Sequence, residues 1–170
     1  MTEQTDQSVQ TRLDRDRAAA AAVEHHHAAL ARALAGLVSS LVDVARAAPP
    51  AAGADRLPLV RWCREELLPH ALAEESTLYD AAAARPEGRL LVEAMLAEHR
   101  AILALVDNLE GVTEPVEAAA LGRALQAVFE VHLAKENDQV LPLLVGDPSV
   151  SVADLLGGMH ELLGGGSGEH

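Results

Sequence analysis

The sequence predicts an all-α protein folded as an antiparallel up-down-up-down four-helix bundle with a short C-terminal helix. Apolar residues recur at steps of three and four in four long stretches, the period of a buried stripe on a helix. Proline and glycine gather between those stretches, where connections are needed. Trp62, Tyr79 and Phe129 are the only aromatic residues, and a chain so rich in Ala, Leu, Glu and Arg favours helix over sheet.

Residues 1–12 are polar and without period, and are expected to form a flexible tail. From Leu13 a long first helix begins, with Val23, Leu30, Leu34, Leu37 and Leu41 on its buried stripe and Pro49 and Pro50 as its end. Residues 48–54 form the connection. The second helix is expected from about Asp55 to Ala84, with Leu59, Cys63, Leu67, His70, Glu74, Leu78 and Ala81 on one face. Pro69 removes a donor and crowds the preceding turn, so a kink or a fresh start is expected immediately before His70.

Arg85-Pro86-Glu87-Gly88 is the next turn, and Val92, Met95, His99, Ile102, Val106 and Leu109 form the stripe of the third helix, with Gly111 as its stop. Thr113 and Pro115 start the fourth, whose stripe of Leu121, Leu125, Val128 and His132 leads to Glu136. Pro142 is expected to close it. The bundle domain is thus assigned to residues 13–146, and residues 147–170 to a short helix and a Gly-rich tail.

At 170 residues the chain is read as one domain. Thirteen basic against twenty-six acidic residues give a formal charge of -13, which repels phosphate backbones and anionic lipid, so neither a nucleic acid nor a membrane is expected as a partner. Cys63 is the single cysteine and has no internal partner, the polar N-terminus lacks signal-peptide regions, and no apolar run is read as reaching the ~20 residues of a membrane span. Together these lead us to expect a soluble cytoplasmic protein.

The chemistry lies in a repeated pair. His70-Ala-Leu-Ala-Glu74 returns as His132-Leu-Ala-Lys-Glu136, and a spacing of four on a helix puts an imidazole and a carboxylate on one face, one turn apart. The third helix adds His99. The first carries His25, His26 and His27 in succession, of which His25 falls off the stripe while His26 and His27 flank it almost equally. His27 has Val23 four residues before it and Leu30 three after, as His99 has Met95 and Ile102, and by that analogy His27 is the first candidate and His26 the second.

Each of these residues, taken singly, is as readily a satisfied core histidine or a surface glutamate. As a set they are not, because burying His27, His70, His99, His132, Glu74 and Glu136 around one point costs several kcal/mol per unpaired charge unless a cation pairs them. Four imidazoles and two carboxylates exceed one closed structural zinc site, and two irons suit them better.

With that ordered set in view, the sequence resembles the hemerythrin-like, or HHE cation-binding, domain family. The resemblance covers residues from about 20 to 145 and rests on His27-Ala-Ala-Leu30, His70-Ala-Leu-Ala-Glu74-Glu75, Glu98-His99-Arg-Ala-Ile102 and His132-Leu-Ala-Lys-Glu136-Asn137, closed by Leu141-Pro142. It implies two Fe ions in an oxo- or hydroxo-bridged non-haem centre, with Glu74 and Glu136 as bridging carboxylates and His27, His70, His99 and His132 as terminal ligands. It also implies dioxygen, nitric oxide or peroxide as the small ligand. One position departs from the family's oxygen carriers, which have a further histidine four residues before the one matched by His99. Here that residue is Met95, which argues against reversible oxygen carriage and leaves water or an unassigned oxygen donor to complete the site.

On a regular wheel Glu75 and Tyr79 point away from His70 and read as partner or surface residues, Cys63 reads as core, and His160 and His170 read as exposed tail residues. Iron sequestration, a peroxidase or oxidase activity, and a metal-free interaction bundle are the competing functions. No protein partner is legible. The two candidates on the first helix are separable by metal analysis: His27→Ala is predicted to lose iron and His26→Ala to retain it, and the reverse outcome would mean a register wrong by one residue.

Overall fold

The computed structural model describes residues 2–47 and 56–157, which are helical almost throughout, with no strand among the described residues. Helix α1 (Thr2–Arg46) buries Val23, Leu30, Leu34, Val38 and Leu41 along one stripe, with Leu37 at its margin. It begins well before Leu13, so residues 2–12 continue a helix instead of forming the expected flexible tail. Where this segment meets the rest of α1, it has partners far along the chain. The Arg12 guanidinium donates to the carbonyl of Pro148, and the buried Asp16 carboxylate accepts from Ser151 Oγ at 3.0 Å and from the Ala153 amide at 3.1 Å. Asp16 thereby caps the short helix at 152–157 and ties both ends of the described chain together.

The second helical stretch comprises α2 (Leu57–Trp62), a π-helical turn (Cys63–Leu67), α3 (Leu68–Glu74), a second π-helical turn (Glu75–Tyr79) and α4 (Asp80–Ala83). After a tight turn come α5 (Arg89–Gly111) and α6 (Pro115–Lys135), the latter continued by a third π-helical turn (Glu136–Val140) and α7 (Leu141–Val145). Pro69 makes no break. The Leu68 amide bonds to the Cys63 carbonyl, five residues back, and this widened turn makes room for the proline ring. The same device recurs where the Leu141 amide reaches the Glu136 carbonyl just before Pro142, so Pro142 does not close the fourth helix, which runs on to Val145.

The helices pack as a bundle around two apolar clusters. One holds Leu34, Leu59, Cys63, Leu109 and Leu125, and the other Leu78, Tyr79, Met95, Leu141 and Val152. The candidate ligands lie between them. On α1 the chain passes from Val23 in the second cluster through His27 to Leu30 in the first. On α5 it passes from Met95 through His99 to Ile102 in the same sense, while α3 and α6 cross in the opposite order.

The 18-residue apolar window in α1 has a mean hydropathy of 1.6, so by length and composition alone this helix could cross a membrane, contrary to the reading of the sequence. Alanine-rich faces supply that hydropathy, and its stripe carries the buried His27 against the other helices. The expected connection at 48–54 lies outside the described residues, as do residues 158–163 of the expected last helix, the Gly-rich tail, His160 and His170.

The turn before α5 is set by Gly88, where an added Cβ would stand 2.1 Å from the Ala82 carbonyl oxygen. Gly88→Ala is therefore predicted to destabilise the fold by about 1–3 kcal/mol, as overpacking does. Gly36 lies inside α1, and a Cβ added there would meet nothing within 4 Å, so Gly36→Ala should stabilise by about 0.5–1 kcal/mol. Urea unfolding of both variants checks the pair, and equal effects would contradict the packing described.

Candidate metal centre

All six residues singled out from the sequence, His27, His70, Glu74, His99, His132 and Glu136, are buried and converge in the layer between the two apolar clusters. His26 and His25 are exposed and His27 is buried, so of the three neighbours on α1 only His27 enters the layer; the His26 ring meets the edge of the His70 ring, with centroids 5.0 Å apart. Periodicity could not separate neighbours lying almost equally far from a stripe. Packing separates them, because only His27 has its ring inside.

The donors form two groups that share a residue. His27, His70 and Glu74 place one donor atom each within 4.8 Å of the others, and so do Glu74, His99 and His132. Glu74 Oε1 lies 3.2 Å from His27 Nε2 and 2.9 Å from His70 Nε2, while its Oε2 lies 3.9 Å from His99 Nε2. Glu136 spans the same two groups, its Oε2 being 3.6 Å from His27 Nε2 and 3.7 Å from His132 Nε2.

An outer ring of acceptors fixes which imidazole nitrogen is free. His27 Nδ1 donates to Asn137 Oδ1 at 2.7 Å, His99 Nδ1 to Glu75 at 2.7 Å and His132 Nδ1 to Glu98 at 3.1 Å, with Lys135 pairing Glu98 in turn. A neutral imidazole that donates from Nδ1 keeps a lone pair on Nε2. Those lone pairs then face one another or carboxylates: His99 Nε2 and His132 Nε2 are 3.0 Å apart. His70 Nδ1 and Glu136 Oε2 have no hydrogen-bond partner, and His70 Nε2 faces Glu74 Oε1 as an ion-pair contact out of hydrogen-bond alignment. Converging lone pairs and orphaned acceptors in a buried layer fit cations, with Glu75, Glu98 and Asn137 orienting the ligands.

The electrostatics agree. Burial pushes the Glu74 carboxyl upward, but the neighbouring His70 and His27 outweigh it and hold the group well below the usual carboxylate range. Burial and the charge of Glu74 push Glu136 well above that range. Without cations the two carboxyls are thus pushed in opposite directions, and positive charge is what favours the ionised form of both. Burial and the adjacent His99 push His132 down to about 4, leaving its imidazole neutral near pH 7 and able to ligate. Burial pushes the Cys63 thiol up to about 12, and its place in the apolar cluster agrees with a core role.

Tyr79 departs from expectation. It does not point away but is buried against the donors, its hydroxyl donating to Glu136 Oε1 at 2.6 Å and its ring stacked on His99 with centroids 5.3 Å apart. The widened turn at Glu75–Tyr79 is the reason, because it brings side chains five apart onto one face and so returns Tyr79 to the face of Glu74. Burial, together with the charge of Glu136, pushes the phenol upward. Glu75 is a partner of His99, as one of its two readings had it, while Glu98 and Asn137 enter the sequence reading only inside the motifs around His99 and Glu136, with no role of their own.

A family model described as the Hemerythrin HHE cation binding domain matches residues 18–144. No curated protein and no solved structure matches the chain.

The opposed states of Glu74 and Glu136 give a prediction for the metal-free chain. A carboxyl raised above its unfolded value contributes stability that is present at acid pH and lost as pH rises through the folded value, so ionising Glu136 works against folding near neutrality. Glu136→Gln, which removes that charge and can donate its amide to Glu74, should raise the metal-free melting temperature near pH 7 by about 2–4 °C while lowering metal uptake. Thermal melts and metal analysis on the same preparation check both, and a lower metal-free melting temperature would contradict the charge argument.

Proposed function

The chain belongs to the hemerythrin HHE cation-binding domain family, and we propose that it is a non-haem di-iron protein that senses or handles dioxygen, nitric oxide or peroxide. One observation carries the reading: two donor groups share Glu74, and Glu136 reaches toward both. His27 and His70 would hold one ion, His99 and His132 the other, and the two carboxylates would lie across them. A ferrous pair supplies electrons and an open position to a small oxidant.

The rest is supplied by the chain. Its four helical stretches run up, down, up and down, a reading supported by the alternating order in which they cross the two apolar clusters. Glu75, Glu98 and Asn137 hold the imidazoles in the tautomer that presents Nε2. The apolar clusters on either side exclude bulk water. A groove of about 430 Å³, walled by Leu68, Leu72, Leu96 and Leu103 together with Arg64 and Arg100, has Glu75 and His99 in its lining.

Met95 places a buried thioether, a poor ligand for hard iron, where an oxygen carrier has an imidazole, which favours irreversible oxidation over reversible release. The reading assigns the protein to the cytoplasm, in keeping with its single buried, unpaired cysteine.

Purified protein is predicted to hold about two irons per chain, to lose melting temperature on chelation, and after reduction to oxidise rapidly in air without a long-lived oxygenated form. Metal analysis, calorimetry and stopped-flow mixing with oxygen check these. One zinc and no iron would sink the di-iron reading; an oxygenated spectrum that reverses under vacuum over repeated cycles would sink the assignment against oxygen carriage.

A further inference from the structure

Resting on the di-iron reading, we infer that Tyr79 is itself a ligand, its phenolate oxygen completing the coordination of the ion held by His99 and His132. The hydroxyl oxygen lies 2.6 Å from Glu136 Oε1, 3.3 Å from His132 Nε2 and 3.5 Å from His99 Nε2. Ligand atoms about 2.0–2.2 Å from one ion, at angles near 90–110°, stand roughly 2.8–3.6 Å apart from each other. Apart from the short hydrogen bond to Glu136, which coordination would replace, the oxygen is at ligand-to-ligand distance from each of its neighbours.

The backbone gives an independent argument. Of the three π-helical turns among the described residues, those at Cys63–Leu67 and Glu136–Val140 are each followed within two residues by a proline, Pro69 and Pro142, and are accounted for by the room its ring needs. The turn at Glu75–Tyr79 precedes no proline, since Asp80–Ala83 follows. What it does is turn Tyr79 onto the face of Glu74. Widened turns of this kind cost regular hydrogen bonding and recur at functional sites.

The donor inventory points the same way. Met95 is fully buried in the same apolar cluster as Tyr79, and a thioether is a soft donor ill matched to ferric iron, whereas a phenolate is a hard anionic oxygen. Tyr79 supplies the oxygen donor that the position of Met95 leaves wanting. Coordination releases the phenol proton and favours the ferric over the ferrous state.

Tyr79 is the only tyrosine of the chain, so any tyrosinate signal belongs to it. The test is visible absorption and resonance Raman spectroscopy of the ferric, iron-loaded protein and of Tyr79→Phe, with iron measured in each. The expected result is a broad phenolate-to-iron charge-transfer band with enhanced tyrosinate ring vibrations in the native protein, lost in Tyr79→Phe even though iron stays at about two per chain. Full loading of the native chain without that band, or a band that survives in Tyr79→Phe, overturns the assignment of Tyr79 and leaves the di-iron reading standing. A native chain that takes up no iron overturns the di-iron reading, and this one with it. Should Tyr79→Phe fail to fold, the native spectrum alone decides.

Discussion

The structure depends on a polar layer that cannot be stable as an apolar core would be. Two carboxylates and four imidazoles sit between two apolar clusters with almost no access to water. Moving an ion into such a place costs several kcal/mol even after relaxation. In the bare chain opposed shifts relieve part of that cost: the imidazole neighbours favour the ionised form of Glu74, while burial and the charge of Glu74 favour the protonated form of Glu136. The relief is incomplete, because His70 and Glu136 Oε2 keep orphaned atoms and the Nε2 lone pairs of His99 and His132 converge. A layer built this way is completed by positive charge.

Much of the rest serves to hold that layer still. Each helix brings an apolar residue on either side of its ligand, so the rings cannot slide along the bundle axis without opening a cavity. Glu75, Glu98 and Asn137 sit next to Glu74, His99 and Glu136 in sequence but reach across to histidines on other helices. An adjacent residue on a helix points about 100° away, so each side chain leaves its own neighbour's face and meets the next helix. Ligand and orienting residue are therefore supplied by the same helical turn.

The π-helical turns tie backbone to chemistry. Those before Pro69 and Pro142 let helices carry a proline beside the centre without a break, which keeps His70 in line with Leu67 and lets Leu141 and Leu144 pack below Glu136. Asp16, capping the last described helix from within α1, closes the same end of the bundle.

The sequence by itself determined the helical class, the places of the four apolar stripes and five of the six candidate donors. It did so because helix periodicity is local and the His-x-x-x-Glu pairs lie on it. It left His26 and His27 tied, since neighbours flanking a stripe differ only in which one finds room inside, and that is decided by the partner helices. Three features followed from tertiary structure alone. Residues 2–12 continue α1, and at their end Arg12 and Asp16 find partners more than 130 residues away. The fourth helix outlasts Pro142 because a widened turn precedes it. Tyr79 stands among the donors because an uneven turn at Glu75–Tyr79 breaks the regular spacing on which any wheel depends. Periodicity assumes a uniform helix, and the site is built where the helix is not uniform.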